Sequence, residues 1–148
     1  MTTPDYRSVL YVVGMLLVLL AAMMCVPAAV DVFTHDREWQ HFILSAVICL
    51  FVGVLCALSG RQKEFIIGIR EAFLITTVSW VTISLFAALP FYLRGGMGLT
   101  NAVFESVSGL TTTGSTVMVG LDGMPPGILL WRSLLQWIGG IGIVVMAI

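Results

Sequence analysis

Residues 108–117 read "SGLTTTGSTV", three threonines in a row followed by a glycine. These residue types at consecutive positions can coordinate a cation. Backbone carbonyl oxygens aimed at one point replace an ion's hydration shell, and Thr111, Thr112 and Thr113 offer them in series. Their hydroxyls can add further oxygens, while the branched side chains brace the strand from behind. Aiming successive carbonyls the same way needs a backbone that alternates its conformation, and Gly114 can take a positive φ without steric penalty. In a soluble protein the same four residues would read as a turn. Their meaning therefore depends on the elements that hold them.

The polar neighbours each have two readings. Glu105 is the only charge between Arg94 and Asp122, and an ionisable group at membrane depth is a functional candidate. It either tunes the field felt by an entering cation or braces a short helix by bonding nearby backbone or Ser108. Ser115 supports the strand just after the glycine. Asp122 either raises the cation concentration at a pore mouth or is a solvated turn residue. Arg132 snorkels to an interface or pairs with an acidic group. The glycines of "GGIGIV" at residues 139–144 permit close helix packing, with a hinge as the alternative. No Ser–His, Asp–Asp or His/Glu metal pair stands at helical spacing within an apolar run. No catalytic residue and no covalent cofactor are expected, and the chain is not read as an enzyme.

The elements around these residues follow from composition. Of 148 residues, 59% are hydrophobic and only 10% charged, with a mean hydropathy of +1.05. A soluble domain carries a far more charged shell. A bilayer core about 30 Å thick needs roughly 20 apolar residues per helix. Residues 8–30, 39–60 and 72–93 contain no charge, and neither does 133–148. Three full spans and a fourth near the C-terminus are expected. The first run is longer than the roughly 7–15 residues of a signal-peptide core, so it reads as a retained helix. Cys25, Cys49 and Cys56 all fall inside spans, odd in number and fitting no metal-site spacing. They read as small residues packed between helices. His35 and His41 read as solvated interfacial residues. A net charge of −1 without a basic patch points to no nucleic acid.

Loop charges set the expected orientation. "RQKEFIIGIRE" carries Arg61, Lys63 and Arg70, whereas "DVFTHDREWQ" carries Arg37 against Asp31, Asp36 and Glu38. The N-terminus and the loop between spans two and three are therefore placed in the cytoplasm. Span three runs outward from Glu71 and ends at "LPFYLRGG". Only about twenty residues separate that turn from "GLDGMPPG" at residues 120–127. Thr100 or Asn101 is the expected helix cap, and a helix from Asn101 to Leu110 would rise about 15 Å, half the hydrocarbon thickness. It enters the membrane and cannot cross it. The chain must then return to the side it came from, as a re-entrant loop with "TTTG" at the bottom. Non-helical backbone is tolerated there only where protein buries it or it lines a wet cavity. The short helix also points its partly negative end at the same spot.

The fold class expected is thus an all-α integral membrane protein. Residues 1–70 hold two leading transmembrane helices and a cytoplasmic loop, and residues 71–148 hold one helix–re-entrant pore loop–helix repeat.

"AVFESVSGLTTTGSTVMVGLD" followed by "LLWRSLLQWIGGIGIVV" resembles the first pore repeat of the Trk/Ktr/HKT superfamily of potassium transporters, of the TrkH type. "EAFLITTVSW…LPF" resembles that family's first helix of the repeat, and the resemblance extends over the whole chain. It implies a potassium uptake subunit of the bacterial inner membrane whose pore is formed by four such repeats. Each repeat gives one filter segment with a glycine at its key position, here Gly114. The preceding carbonyls map onto Thr111, Thr112 and Thr113, with potassium held at Thr111 and Thr112. Potassium is cargo, not a cofactor. The resemblance further implies a homodimer in membrane lipid and a cytoplasmic nucleotide-binding gating subunit. Some plant relatives that prefer sodium carry serine in place of this glycine, so Gly114 favours potassium.

Only one pore loop is present, and the last helix stops at "VVMAI". The expectation is a subunit cut off inside its fourth span, the N-terminal part of a longer transporter. The alternatives are a homotetrameric cation channel built from this short chain and a non-conducting membrane interaction protein.

Overall fold

The computed structural model describes residues 6–61 and 68–147, and all regular structure among them is helical. Helix α1 (Tyr6–Phe33) and helix α2 (Trp39–Ser59) are followed by α3 (Ile69–Ala87), the short α4 (Leu89–Leu93), α5 (Leu99–Leu110) and α6 (Pro126–Ala147). A single 3₁₀ turn, Leu121–Gly123, precedes α6. α1, α2 and the run Ile69–Leu93 are each long and apolar enough to cross a membrane. α6 has 22 residues, which rise about 33 Å at 1.5 Å each. Of the expected features, Lys63 in the basic loop and Ile148 lie outside the described residues.

α1 and α2 pack as a tight antiparallel hairpin because small residues line their seam. A Cβ on Gly53 would stand 3.0 Å from the Gly14 carbonyl oxygen and from Leu17 Cβ. Backbones approach this closely only where side chains are missing, which is how helices associate in lipid. Cys49 is buried in the seam and its thiol donates to the Leu17 carbonyl at 3.3 Å. Cys25 instead faces outward, so only part of the expected packing of cysteines between helices is found.

α1 extends past residue 30, and Asp31 belongs to its last turn, buried. The expected third span is divided at Ala88. Pro90 has no N–H to offer the Phe86 carbonyl, and its ring crowds the preceding turn, so α3 ends and α4 starts afresh. Carbonyls near the break find side-chain donors. Ser106 Oγ donates to the Ser84 carbonyl at 2.7 Å. The Trp131 indole N–H donates to the Ala87 carbonyl at 3.0 Å. Trp131 is fully buried, and its ring meets Phe42 edge-on, with centroids 6.2 Å apart and planes at 74°. One side chain of α6 thus ties together α2, the end of α3 and α6.

Candidate functional site

α5 has 12 residues and so rises about 18 Å, far short of a membrane crossing. It does not begin at the expected cap. Thr100 and Asn101 lie inside its first turn, and Gly98, extended at ψ 155°, stands at the cap position with no side-chain hydrogen bond. The Gly98 carbonyl takes the first helical bond, from the Ala102 N–H at 3.0 Å.

The other end of α5 closes on itself. The Thr112 N–H donates to the Gly109 carbonyl at 2.9 Å and the Thr113 N–H to the Ser108 carbonyl at 3.0 Å. This pair of bonds is a Schellman termination, which needs a left-handed residue at Thr112. Thr112 supplies it with φ +56°. A β-branched residue with positive φ is strained. Gly114 follows with φ +76°, so the backbone alternates hand between residues 111 and 114. Thr111 Oγ1 donates to the Val107 carbonyl at 2.8 Å and shares a hydrogen bond of 2.8 Å with Thr113 Oγ1. Among the described residues no hydrogen bond ends on the carbonyls of Thr111, Thr112 or Thr113.

Behind this strand sits Glu105, with 0% of its surface exposed. Its Oε1 accepts the Thr116 hydroxyl and the Val117 N–H, both at 2.6 Å. Its Oε2 accepts Arg132 Nε at 3.0 Å, an ion pair from α6. The same guanidinium reaches the Gly114 carbonyl at 3.5 Å through Nη2. Ser108 Oγ donates to the Ser115 carbonyl at 2.6 Å. Glu105 thus bonds the returning strand, through Thr116 and Val117, and Arg132, where the sequence reading has it brace the short helix through nearby backbone or Ser108. Ser108 lies three residues along α5 and is engaged by Ser115. Arg132 takes the acidic partner instead of snorkelling.

Residues 111–117 are all exposed. α6 backs the end of α5 closely at Gly139, where a Cβ would fall onto the Leu110 carbonyl. At Gly140 and Gly142 a Cβ would find ordinary contact at 3.8 and 4.0 Å. Close packing is thus required at one glycine of the three. Asp122 stands exposed in the 3₁₀ turn, apart from the strand's bonding network. Beside the far end of the strand a cavity of about 490 Å³ is lined by Glu38, Arg94, Asn101, Val117 and Met124 among others. Arg94 Nε pairs with Glu38 Oε2 at 3.5 Å and His41 lies 3.7 Å from the same oxygen.

A family model described as "TrkH: Cation transport protein" matches residues 38–148. The chain belongs to the TrkH family. It is 41% identical to the Trk system potassium uptake protein TrkH of Halomonas elongata over 96% of its own length. To the TrkH of Vibrio parahaemolyticus it is 39% identical over 97%. The crystal structure of the potassium transporter TrkH from Vibrio parahaemolyticus superposes with a TM-score of 0.91 over 96% of the chain. The chain spans about 30% of the length of these relatives. As a TrkH-family chain it is an all-helical, multi-pass membrane protein, and its relatives are transport proteins, not enzymes.

Two parts of this TrkH-family site escape a sequence reading. Asp31 counts in the sequence as one more acidic loop residue. In the structure its Oδ1 accepts the Gly127 N–H at 2.7 Å, across 96 residues. Gly127 just inside a helix start, after Pro126, is the available signal that something approaches closely there. The left-handed Thr112 has no sequence signal at all.

Proposed function

We propose that this chain is the potassium-conducting front portion of a Trk-type uptake subunit, with residues 111–114 forming one quarter of its selectivity filter. The observation that carries the reading is the strand itself. A helix too short to cross the membrane ends in a backbone of alternating hand, with positive φ at Thr112 and Gly114, one open face and every bracing bond behind it. Carbonyls of Thr111, Thr112 and Thr113 then face a potassium ion in place of water, and the C-terminal end of α5 adds a favourable field. No bond is made or broken. Ions move down the electrochemical gradient.

In this reading α1 and α2 are the leading hairpin, and α3 to α6 are the pore repeat. The basic loop around Arg61 and Arg70 supports a cytoplasmic N-terminus in a bacterial inner membrane. The names of the relatives, potassium uptake proteins of the Trk system, support potassium as cargo. Partners of the whole transporter, a second subunit and a cytoplasmic nucleotide-binding gating subunit, follow from family resemblance.

The test uses a chimera in which this chain replaces the matching segment of the Vibrio parahaemolyticus TrkH, in cells lacking their own potassium uptake. Gly114→Asp should abolish uptake of potassium and rubidium while the protein still reaches the membrane. Uptake unchanged by that substitution would sink the filter.

A further inference from the structure

The start of α6 is gripped by elements that lie outside the pore loop. Asp31, in the last turn of α1, is fully buried, and its Oδ1 holds the Gly127 N–H at 2.7 Å. Pro126 occupies the first position of α6, so the Gly127 N–H is the first donor this helix presents to a partner. A carboxylate there also meets the positive end of the helix dipole. The contact is close on both sides, for a Cβ on Gly127 would stand 2.5 Å from Asp31 Cγ. Oδ2 of Asp31 has no hydrogen-bond partner among the described residues. One turn later Trp131 is locked between Phe42 and the Ala87 carbonyl. The next residue is Arg132, which holds Glu105 at 3.0 Å and reaches the Gly114 carbonyl at 3.5 Å.

We infer that Asp31 is a positioning residue for ion selectivity. It fixes the height and rotation of the first turns of α6, and so the place of the Arg132 guanidinium behind the Gly114 carbonyl. The inference rests on the reading of residues 111–114 as a filter. The first turn of α6 is pinned at Gly127 by Asp31 and at Trp131 by Phe42 and the Ala87 carbonyl, so losing the Gly127 anchor lets this turn pivot about Trp131 and moves Arg132, the next residue. A filter tells ions apart by the separation of its oxygens. A shift at its backing therefore changes discrimination between ions, whereas plain destabilisation lowers the uptake of every ion alike. Oδ2 has no partner to lose, so the positioning bond is the one on Oδ1, and an uncharged acceptor of the same shape sustains it.

The experiment measures potassium and sodium uptake by the chimera, per molecule in the membrane, for Asp31→Ala, Asp31→Asn, Gly127→Ala and the double variant Asp31→Ala/Gly127→Ala. Asp31→Ala should lower the potassium-to-sodium ratio well beyond about twofold, up to roughly a hundredfold, the upper scale for a displacement near 1 Å at a functional group. Asp31→Asn should stay within about twofold of the parent, because it keeps the hydrogen bond. Gly127→Ala pushes the same junction apart from the other side and should lower the ratio too, with the double variant no worse than either alone. A ratio unchanged in Asp31→Ala, or Asp31→Asn as defective as Asp31→Ala, overturns the inference. If Asp31→Ala fails to reach the membrane, Gly127→Ala decides it alone by whether the ratio moves. Gly114→Ser in the same assay separates the two readings. No shift there removes the filter itself, whereas a shift there with none at Asp31 or Gly127 removes only the positioning role.

Discussion

Glu105 of α5 and Arg132 of α6 meet at 3.0 Å with the carboxylate wholly buried and the guanidinium side chain 15% exposed. Two further donors, Thr116 Oγ1 and the Val117 N–H, occupy the other carboxylate oxygen. One side chain thus joins the short helix, the returning strand and the last helix.

Removing one partner of such a pair leaves a buried charge without its counterpart. Arg132→Ala should cost about 3–5 kcal/mol, seen as a large drop in the thermal midpoint of the purified membrane protein. Glu105→Gln keeps an acceptor for Thr116 and Val117 and should cost less than Glu105→Ala. Equal losses for Gln and Ala would mean that the two hydrogen bonds on Oε1 carry nothing.

Thr112 holds φ +56° with a branched side chain. Thr112→Gly relieves that strain and should raise stability by up to about 1 kcal/mol, less than the full left-handed penalty because glycine is freer when unfolded. Potassium selectivity should fall, since glycine leaves the left-handed turn at residue 112 less fixed. A fall in stability would show that the Thr112 methyl packs more favourably than the strain costs.

Gly139→Ala sets a methyl onto the Leu110 carbonyl. Overpacking of this kind typically costs about 1–3 kcal/mol, and here it pushes apart the two helices that frame the strand. Gly140→Ala, whose nearest neighbour would be Thr112 Cγ2 at 3.8 Å, should be tolerated. The comparison is read from potassium uptake at matched membrane levels. Equal uptake by both variants would refute the close approach at Gly139.

Ser108→Ala deletes the 2.6 Å bond to the Ser115 carbonyl and should destabilise by about 1 kcal/mol. Ser133→Ala removes only an exposed bond within its own helix, to the Leu129 carbonyl at 3.0 Å, and should be silent. Thermal midpoints of the two variants decide it. A silent Ser108→Ala would show that the strand keeps its shape without that bond.

Much of this architecture was legible in the sequence because the membrane imposes simple rules. Runs free of charge marked the long helices, and the interval between two turns was too short for another crossing. Gly114 was legible because its conformation is one that glycine favours. The bracing of Glu105 was half legible. Its depth announced a partner, but only folding brings Arg132 of α6 beside it. The break before Pro90 was written in the chain yet read as the end of a helix, since proline occupies either place. Asp31 was the least legible. Three acidic residues near one turn look alike in sequence, and which of them is buried depends on where a helix 96 residues away begins.

The exposed face of residues 111–117 and the bonded face behind it are two sides of one strand. Hydrogen bonds to Glu105 and from Ser108 and Arg132 set its outline. The entropy of ordering this backbone is therefore lost when the chain folds. For the proposed filter, a backbone set in advance can discriminate without gripping, so that cargo leaves as readily as it enters.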